Sequence, residues 1–291
     1  MARLAQEIWL DQLQENFYPD SSFLKYGQDY TVFVNANALN LAKAGMNPNV
    51  LINNTTYPIK TVQRVDEPIK VELDKFETEN TLVRRPEVIQ YSYQQLESVI
   101  MGHRNELRAK TAEKAAHAYS PDGDTAETPV VTTSGTTYNG RKRLTFDDIL
   151  GLKERFDAKE VPLEERYLVL HPSHVTDLIS LDTKGFKDIT DLVNGQPKRF
   201  AGFGILQFSR MPLYDLASLE KMPFGTVATA DTGFCSFAFQ ANEVMKADGD
   251  VFMYSTENDP KERATIVGFD KRFIAVPIRN VGIGAIVSAK G

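Results

Sequence analysis

Residues 86–119 read PEVIQYSYQQLESVIMGHRNELRAKTAEKAAHAY, and this stretch decides the fold. Apolar and small side chains recur along it at alternating steps of three and four residues, which is the period of one face of an α-helix. The positions on this face are Ile89, Tyr93, Leu96, Ile100, His103, Leu107, Thr111, Ala115 and Ala118. The pattern predicts one long amphipathic helix, with bulky side chains in its first half and alanines in its second.

The ends of this predicted helix carry matching signals. Pro86 suits the first turn, where its missing N–H is not needed, and Glu87 interacts favourably with the positive end of the helix dipole. Lys110 and Lys114 favour the negative end, and the Ser-Pro-Asp-Gly-Asp sequence at 120–124 stops the helix. At about 1.5 Å per residue the helix reaches roughly 50 Å. On this stretch alone, the simpler interpretation is a core helix of an ordinary α+β domain.

The composition describes a globular chain. It has 291 residues, of which 42% are hydrophobic, so it can bury a sizeable core. No apolar run approaches the roughly 18 to 20 residues that a membrane-spanning helix requires, and the N-terminus lacks a signal-peptide pattern. The net charge of −6 argues against a sequence-reading nucleic-acid binder, which needs a basic face. Cys235 is the only cysteine, and its apolar neighbours predict a buried strand position.

The N-terminal segment is a second landmark. Residues 2–17 place Leu4, Ile8, Trp9, Leu13 and Phe17 near one face of a short amphipathic helix. A terminal helix with these aromatic residues must dock on its own domain or on another subunit. Its acidic side chains make an anionic membrane surface a poor host.

Residues 50–85 predict a long β-hairpin with one apolar face. Apolar side chains alternate with polar ones in two segments separated by Asp66-Glu67-Pro68, which is the two-residue period of strands. The apolar positions are Tyr57 and Ile59 in the first segment and Ile69, Val71 and Leu73 in the second. Nothing adjacent in the sequence is apolar enough to cover this face. It therefore packs against a distant part of the same chain or against a neighbouring molecule.

Two histidines at a strand-to-helix junction are the candidate catalytic or metal-binding residues. The predicted strand Arg166–Leu170 leads into His171-Pro-Ser-His174, which opens a helix through Leu181. His171 and His174, with Asp177 nearby, can bind a metal or act as acid and base, but no acidic or thiol partner has convincing ligand spacing. Capping of the helix by Ser173 and surface packing of the histidines is the simpler interpretation.

Shorter elements complete the pattern. A capped helix begins at Thr145, and Gly202-Phe-Gly204 lacks the third glycine of a dinucleotide loop. We also expect a strand at Tyr30–Asn35, a short helix at Asn37–Ala44, a loop or loose hairpin over 120–143 and a helix-like segment at Asp188–Val193. The last third is expected to be rich in strands, at Gly225–Ala230, Gly233–Gln240, Val251–Ser255, Ala264–Phe273 and Gly282–Ser288. Turns are expected at Asp248-Gly-Asp250 and Asn258-Asp-Pro260.

Taken in this order, the chain resembles the major capsid proteins of tailed phages, which share the Hong Kong 97-type shell fold. The resemblance rests on the order and size of the elements, on Tyr167-Leu-Val-Leu-His-Pro-Ser-His174 and on a terminal strand block through Asp270-Lys-Arg-Phe-Ile-Ala-Val-Pro277. It implies an α+β fold divided as follows: an N-terminal arm at 1–30, a peripheral domain from 31–49, 86–120 and 240–277 with a spine helix at about 86–119, an extended-loop hairpin at 50–85, and an axial α/β domain from 121–239 and 278–291.

The resemblance also implies a function. A shell subunit has no active site, metal or cofactor, and its partners are many copies of itself, together with scaffold, portal and decoration proteins and DNA held non-specifically, without a membrane. It implies a virion capsid assembled in the host bacterial cytoplasm, and no fused, cleaved scaffold segment is expected because Met1 begins the arm. Flat subunits must overlap their neighbours to close a surface, which favours inter-subunit packing of the arm and the hairpin. An encapsulin-like compartment and an α/β enzyme centred on His171 and His174 are the alternatives.

Overall fold

The computed structural model of the chain describes residues 22–35, 38–43, 67–84, 89–181, 190–191, 196–197 and 199–291. The helices of this part are α1 (Ile89–Tyr119), α2 (Phe146–Ala158) and α3 (Pro172–Leu181). The strands are β1 (Gln28–Asp29), β2 (Val34–Asn35), β3 (Ala38–Lys43), β4 (Glu67–Glu72), β5 (Asp74–Glu77), β6 (Thr81–Arg84), β7 (Val130–Thr132), β8 (Thr137–Tyr138), β9 (Arg141–Lys142), β10 (Arg166–Leu170), β11 (Thr190–Asp191), β12 (Gln196–Pro197), β13 (Arg199–Phe200), β14 (Phe203–Gln207), β15 (Leu213–Asp215), β16 (Thr232–Gln240), β17 (Val244–Asp259), β18 (Ala264–Pro277) and β19 (Ile283–Val287).

The predicted long helix is present as α1, which runs without interruption for 31 residues, about 45 Å. It packs on a five-stranded sheet in which β1, β17, β18 and β5 are neighbours and β6 also pairs with β18. Ile100 and Leu107 of α1 contact Val267 and Phe269 of β18. The bulky first half of the helix therefore covers one face of this first sheet.

Strands β17 and β18 form a long antiparallel hairpin that dominates the first sheet. The strands pair from Val244 and Pro277 at one end to Asp259 and Ala264 at the other. The turn predicted at Asn258-Asp-Pro260 lies slightly later, because β17 continues through Asp259 and residues 260–263 make the turn. The turn predicted at Asp248-Gly-Asp250 is wrong: β17 continues through it with a shift in register, as at a β-bulge that absorbs extra residues without ending the strand.

The second large sheet has seven strands. Its order is β13-β14-β10-β16-β19-β7, and β15 also pairs with β16. Helix α2 begins with a capping box, in which Thr145 and Asp148 each accept a backbone N–H of the other. Leu152 and Phe156 of α2 and Leu178 of α3 share a buried cluster with the sheet. This α/β unit agrees with the alternation of elements predicted from Thr145 onward.

A central core joins the two sheets. The alanine-rich second half of α1 lies there, and the small side chains of Ala112 and Ala115 lie in one buried cluster with Phe237 of β16 and Phe273 of β18. Tyr119 is fully buried at the end of the helix, and its hydroxyl donates to the Met245 carbonyl at 3.0 Å. The change from bulky to small residues along α1 therefore follows a change of packing partner.

Two chain segments cross between the sheets side by side. One is the single 3₁₀ turn Ala241–Glu243 between β16 and β17, and the other is the connection from β18 to β19. The buried Glu243 carboxylate accepts both Nε, at 2.9 Å, and a terminal nitrogen of Arg279, so the side chains tie the two crossings together.

Four short elements differ from expectation. The strand expected at Tyr30–Asn35 is wrong for most of its length, because Thr31–Phe33 form a 3₁₀ turn and only Val34–Asn35 are a strand. Residues 38–43 form strand β3 instead of a helix, because Leu39 and Leu41 alternate with polar neighbours and the backbone pairs with β4. Thr190 and Asp191 pair with β12 as a strand, whereas the rest of the predicted helix at 188–193 lies outside the described residues. Residues 225–230 form turn and loop, since Gly225 adopts a positive φ of 86° that strands do not use.

Candidate assembly surfaces

The hairpin predicted at 50–85 has a different pairing in the structure. β4 pairs antiparallel with β3 over six residue pairs, from Ala38 with Glu72 to Lys43 with Glu67. Residues 44–66, which connect the two strands and contain Tyr57 and Ile59, lie outside the described residues. The prediction of a strand at Ile69, Val71 and neighbouring residues is confirmed, but its described partner is the upstream Ala/Leu segment.

The apolar residues of β4 differ in environment from Leu73, which follows the strand. Leu73 is only 4% exposed and packs with Leu39, Met245 and Ile274 of the same chain. The expected inter-subunit contact at Leu73 is therefore wrong, because its own first sheet covers it. Val71 is partly buried against the same cluster, and the described backbone of Ile69 pairs with Leu41.

The three arm residues proposed for inter-subunit contact, Trp9, Leu13 and Phe17, lie outside the described residues. The described chain begins a few residues later, at Ser22. Phe23 is buried there, with its ring edge-on to Phe237 at 5.3 Å and to Phe208 at 5.3 Å. The start of the described chain is thus anchored in the central core.

Sequence reasoning missed two exposed apolar surfaces. Val32 and Phe33, in the turn between β1 and β2, are 89% and 62% exposed. Phe252 and Tyr254 of β17 are 50% and 56% exposed, on the face of the first sheet opposite α1. The two-residue alternation of β17 could have indicated this face, since every second side chain of a strand points the same way.

The two candidate histidines are structural in this arrangement. His174 is fully buried, and its ring bridges two strands: Nδ1 is 2.6 Å from Ser236 Oγ of β16 and Nε2 is 2.7 Å from the Ser288 Oγ that follows β19. Burial, together with the nearby Arg141 guanidinium, lowers the pKa of His174 to about 3, which keeps the ring neutral. The expected surface packing of His174 is therefore wrong.

His171 occupies the position before α3. Its Nδ1 accepts the backbone N–H of Ser173 at 3.3 Å and lies 2.6 Å from Ser173 Oγ. The expected cap by Ser173 is wrong, because the helix already begins at Pro172 and the imidazole takes the capping role. Its ring stacks on Phe234, and burial lowers its pKa to about 4.

Asp177 is also engaged in structure. Both of its oxygens accept the Arg141 guanidinium, at 2.6 and 2.9 Å, and Oδ2 also accepts the Leu144 N–H at 3.0 Å. These bonds fix the carboxylate against the Arg141 guanidinium and the chain at Leu144, and not against the histidine rings. The three residues suggested for acid–base chemistry thus hold strands and helices together.

The thiol of Cys235 is a further reactive group of the described chain. Cys235 is fully buried in β16, as expected, and burial raises the pKa of its thiol to about 12. In the described part of the chain, no three His, Cys, Asp or Glu side chains gather as a metal ligand set. None of its helices is long and apolar enough for a membrane span.

The similarity of this chain to known proteins lies in its structure and not in its sequence. No protein-family model and no curated protein matches this sequence. The capsid structure of the cyanophage P-SCSP1u matches with a TM-score of 0.61 at 14% identity, covering 91% of this chain and 87% of that one. The mature capsid of bacteriophage PhiM1 matches with a TM-score of 0.64 at 10% identity, covering 91% and 86%. A virus-like particle from Pyrococcus furiosus matches with a TM-score of 0.56 at 10% identity, covering 98% of both chains.

Proposed function

We propose that this chain, which has the Hong Kong 97-type shell fold of the tailed-phage major capsid proteins, is a structural coat protein. In this proposal it assembles into the pentamers and hexamers of an icosahedral phage head that encloses double-stranded DNA. Assembly takes place in the cytoplasm of the bacterial host, and the product is the capsid of the virion. Its partners are many copies of itself, scaffold, portal and decoration proteins, and DNA contacted without sequence preference.

One observation carries the proposal: the match to capsid subunits extends over 91% of the chain. Exposed Phe33 and Phe252 support it, because large apolar side chains that no part of the described chain covers are typical of protein–protein interfaces. No catalytic residue and no cofactor has a role in this function, in line with the structural roles of His171 and His174.

The domain assignment follows the two sheets. We assign α1 and the first sheet to the peripheral domain, with α1 as the spine helix, and the second sheet with α2 and α3 to the axial domain. Residues 1–30 form the arm in this assignment. Trp9, Leu13, Phe17, Tyr57, Ile59, Ile69 and Val71 are the proposed inter-subunit contacts. Leu73 is removed from that set because its own chain buries it.

Deletion of residues 1–18 tests the proposal. We expect the truncated protein to fold, because the described core begins at Phe23, but to form few or no closed particles. Electron microscopy measures the particles, and chemical unfolding of the subunit measures the fold. A matched control replaces only Ala2 and Gln6 with serine, which leaves the apolar positions intact. Normal shells from the truncated protein would contradict the role of the arm.

An encapsulin-like compartment is the second candidate. The match to the Pyrococcus furiosus particle favours it, since that match covers 98% of this chain. The two functions differ in content: a phage head protects DNA from nuclease, whereas a compartment of this kind holds a cargo protein. Particles purified from the native source, treated with nuclease and then analysed for DNA and protein, distinguish them. Particles that contain a second protein and no protected DNA would overturn the phage assignment.

A further inference from the structure

A groove of about 370 Å³ lies beside the second half of α1. The chain segment before β15 and the loop 223–228 form its other walls. This volume is within the range of ligand sites in proteins, which is roughly 300–1,000 Å³. The side chains that line the groove include two aromatic rings and two cations, and both kinds of group bear on what it binds.

Phe234 forms a fixed aromatic platform in this groove. Its ring stacks on the His171 ring, with the two centroids 4.7 Å apart and the planes 12° from parallel. The His171 imidazole is itself held by Ser173. Phe234 lines the groove and is 38% exposed, so the ring surface that His171 does not cover is open to a ligand. A flat ligand placed there extends an existing stack, at little cost in side-chain ordering.

Cations line the same groove. Lys110 of α1 and Arg210 are both exposed, and they share the Glu113 carboxylate, at 3.0 and 3.6 Å. One carboxylate does not neutralise two cations, so this group of three keeps a positive charge in excess. Lys114 follows in the next turn of α1, and its ion pair with Asp74 is long, at 3.9 Å. The α1 side of the groove therefore attracts an anion.

An open aromatic ring beside cations in one groove is typical of sites that bind single-stranded nucleic acid. Bases stack on the ring and the cations hold the phosphates, and because every base has a flat face, such binding tolerates any sequence. Duplex DNA keeps its base faces within its own stack, so the groove contacts it mainly through charge. A local site of this kind is compatible with the net charge of −6, which argues only against a broad basic face.

We propose that this groove binds an unpaired nucleotide unit of a single-stranded nucleic acid, with its base on Phe234 and its phosphate between Lys110 and Arg210. Phe224 offers a second ring for the next base, since it is 40% exposed and its ring centre lies 5.0 Å from the Lys114 ammonium. This activity goes beyond the shell function, which involves double-stranded DNA, and does not depend on it.

Fluorescence anisotropy with the full-length, unassembled protein tests the site. The probe is a labelled oligo(dT) strand, and the same strand annealed to oligo(dA) is the comparison. At low salt we expect the single strand to bind at least ten-fold more tightly than the duplex, because only its bases are free to stack. A surface that attracts by charge alone favours the duplex, which has the higher charge density. Equal or tighter binding of the duplex would overturn the inference.

Thymidine monophosphate separates a strand from a free nucleotide as the ligand. We expect it to displace the labelled strand only at a concentration at least ten-fold higher, because the strand also reaches Phe224 and Lys114. Displacement at equal concentration would overturn the strand as the ligand.

Phe234→Leu removes the stacking surface and keeps an apolar side chain on β16. We expect it to weaken binding of the single strand about ten-fold. Phe252→Leu is the matched control, at an exposed position of β17 outside the groove, and should leave binding unchanged. Phe224→Leu is a second stacking variant that lies on a loop, for use if the change in β16 prevents folding. Unchanged binding in a folded Phe234→Leu protein would overturn the platform.

The cations are tested through the salt dependence of binding. Lys110→Gln with Arg210→Gln should reduce the slope of log K against log salt by about 1.4, since each phosphate contact of a single strand contributes roughly 0.7. Lys159→Gln with Lys261→Gln removes two exposed cations elsewhere and is the control. Equal slopes for the two double variants would overturn the phosphate contact. Particle formation by the unmodified protein is a separate measurement, so these failures leave the shell function intact.

Discussion

Acidification should weaken the α/β unit built on the second sheet, through His174. The ring is enclosed by Ser236 of β16, Ser288 after β19, His171 on its own helix and the Arg141–Asp177 ion pair. A neutral ring needs one N–H donor and one acceptor, and the two serines satisfy both. A second proton would place a charge in this site beside Arg141. The folded state therefore resists protonation, and the unfolded state does not.

The direction and size of the stability loss follow from the pKa of His174 in the unfolded and in the folded state. Its pKa falls from an ordinary 6.5 to about 3 in the folded chain, so the unfolded state binds the proton first. The contribution of the neutral His174 ring to the free energy of unfolding is fully present above pH 6.5, and it is lost as the pH falls from 6.5 toward 3. At pH 4.5 the loss amounts to about 3 kcal/mol, and over the whole window to about 5 kcal/mol. His171 adds to the loss between pH 6.5 and about 4.

Urea unfolding of dissociated subunits at a series of pH values from 7 to 4 measures this loss. His174→Gln keeps a donor and an acceptor for the serines but does not titrate. We expect it to start with a lower free energy of unfolding at pH 7 and to lose about 3 kcal/mol less than the unmodified protein by pH 4.5. His171→Asn is the control, because it preserves helix capping and leaves His174 in place. Parallel pH curves for His174→Gln and the unmodified protein would refute the reasoning.

Two further predictions concern stability. Leu73→Ala should lower the free energy of unfolding by about 2 to 5 kcal/mol, as expected for a leucine buried within its own chain, whereas Leu150→Ala at an exposed position of α2 should change it little. Lys221→Met should cost about 2 kcal/mol in urea unfolding, because the Lys221 ammonium donates to the His117 and Ser120 carbonyls at the end of α1. The exposed pair of Lys290 with Asp231 gives the comparison for that variant, with an expected loss under about 1 kcal/mol for Lys290→Met.

The parts of the fold that sequence predicts well are those with strong local periodicity. α1 has nine face positions in register, and α2 has a capping box that fixes where it begins. β10 and β16 consist of apolar runs of strand length between turn residues. In each case the side chains that decide the element lie within one segment, so the pattern is visible without knowing the partners.

The errors concern elements whose state depends on distant partners. Ala38–Lys43 contains good helix formers, yet pairing with β4 and burial of Leu39 against Met245 make it a strand. The Asp-Gly-Asp sequence at 248–250 favours a turn, but the long pairing of β17 with β18 carries the chain through it. Local propensity is worth a few tenths of a kcal/mol per residue, which a continuous ladder and a buried leucine outweigh.

The candidate sites show the same division. The apolar face of β4 was visible in the sequence, but which of its residues remain outside the core was not, because Leu73 is covered by strands about 170 to 200 residues further along the chain. The role of His174 depended on Ser236 and Ser288, which are remote in sequence and carry no signal of their own.

The side-by-side crossings have a mechanical consequence. β16 ends and β19 begins at the same end of the second sheet, where Phe239 pairs with Ile283. The β17–β18 hairpin is therefore connected by the chain to two adjacent inner strands of that sheet. A pull on that hairpin draws both strands in one direction, and the hydrogen bonds between them carry little shear. The strain passes to the outer ladders, β10 with β16 and β7 with β19, which slide only if many bonds break together. A pull on the hairpin is therefore expected to load the body of the second sheet before it separates β16 from β19.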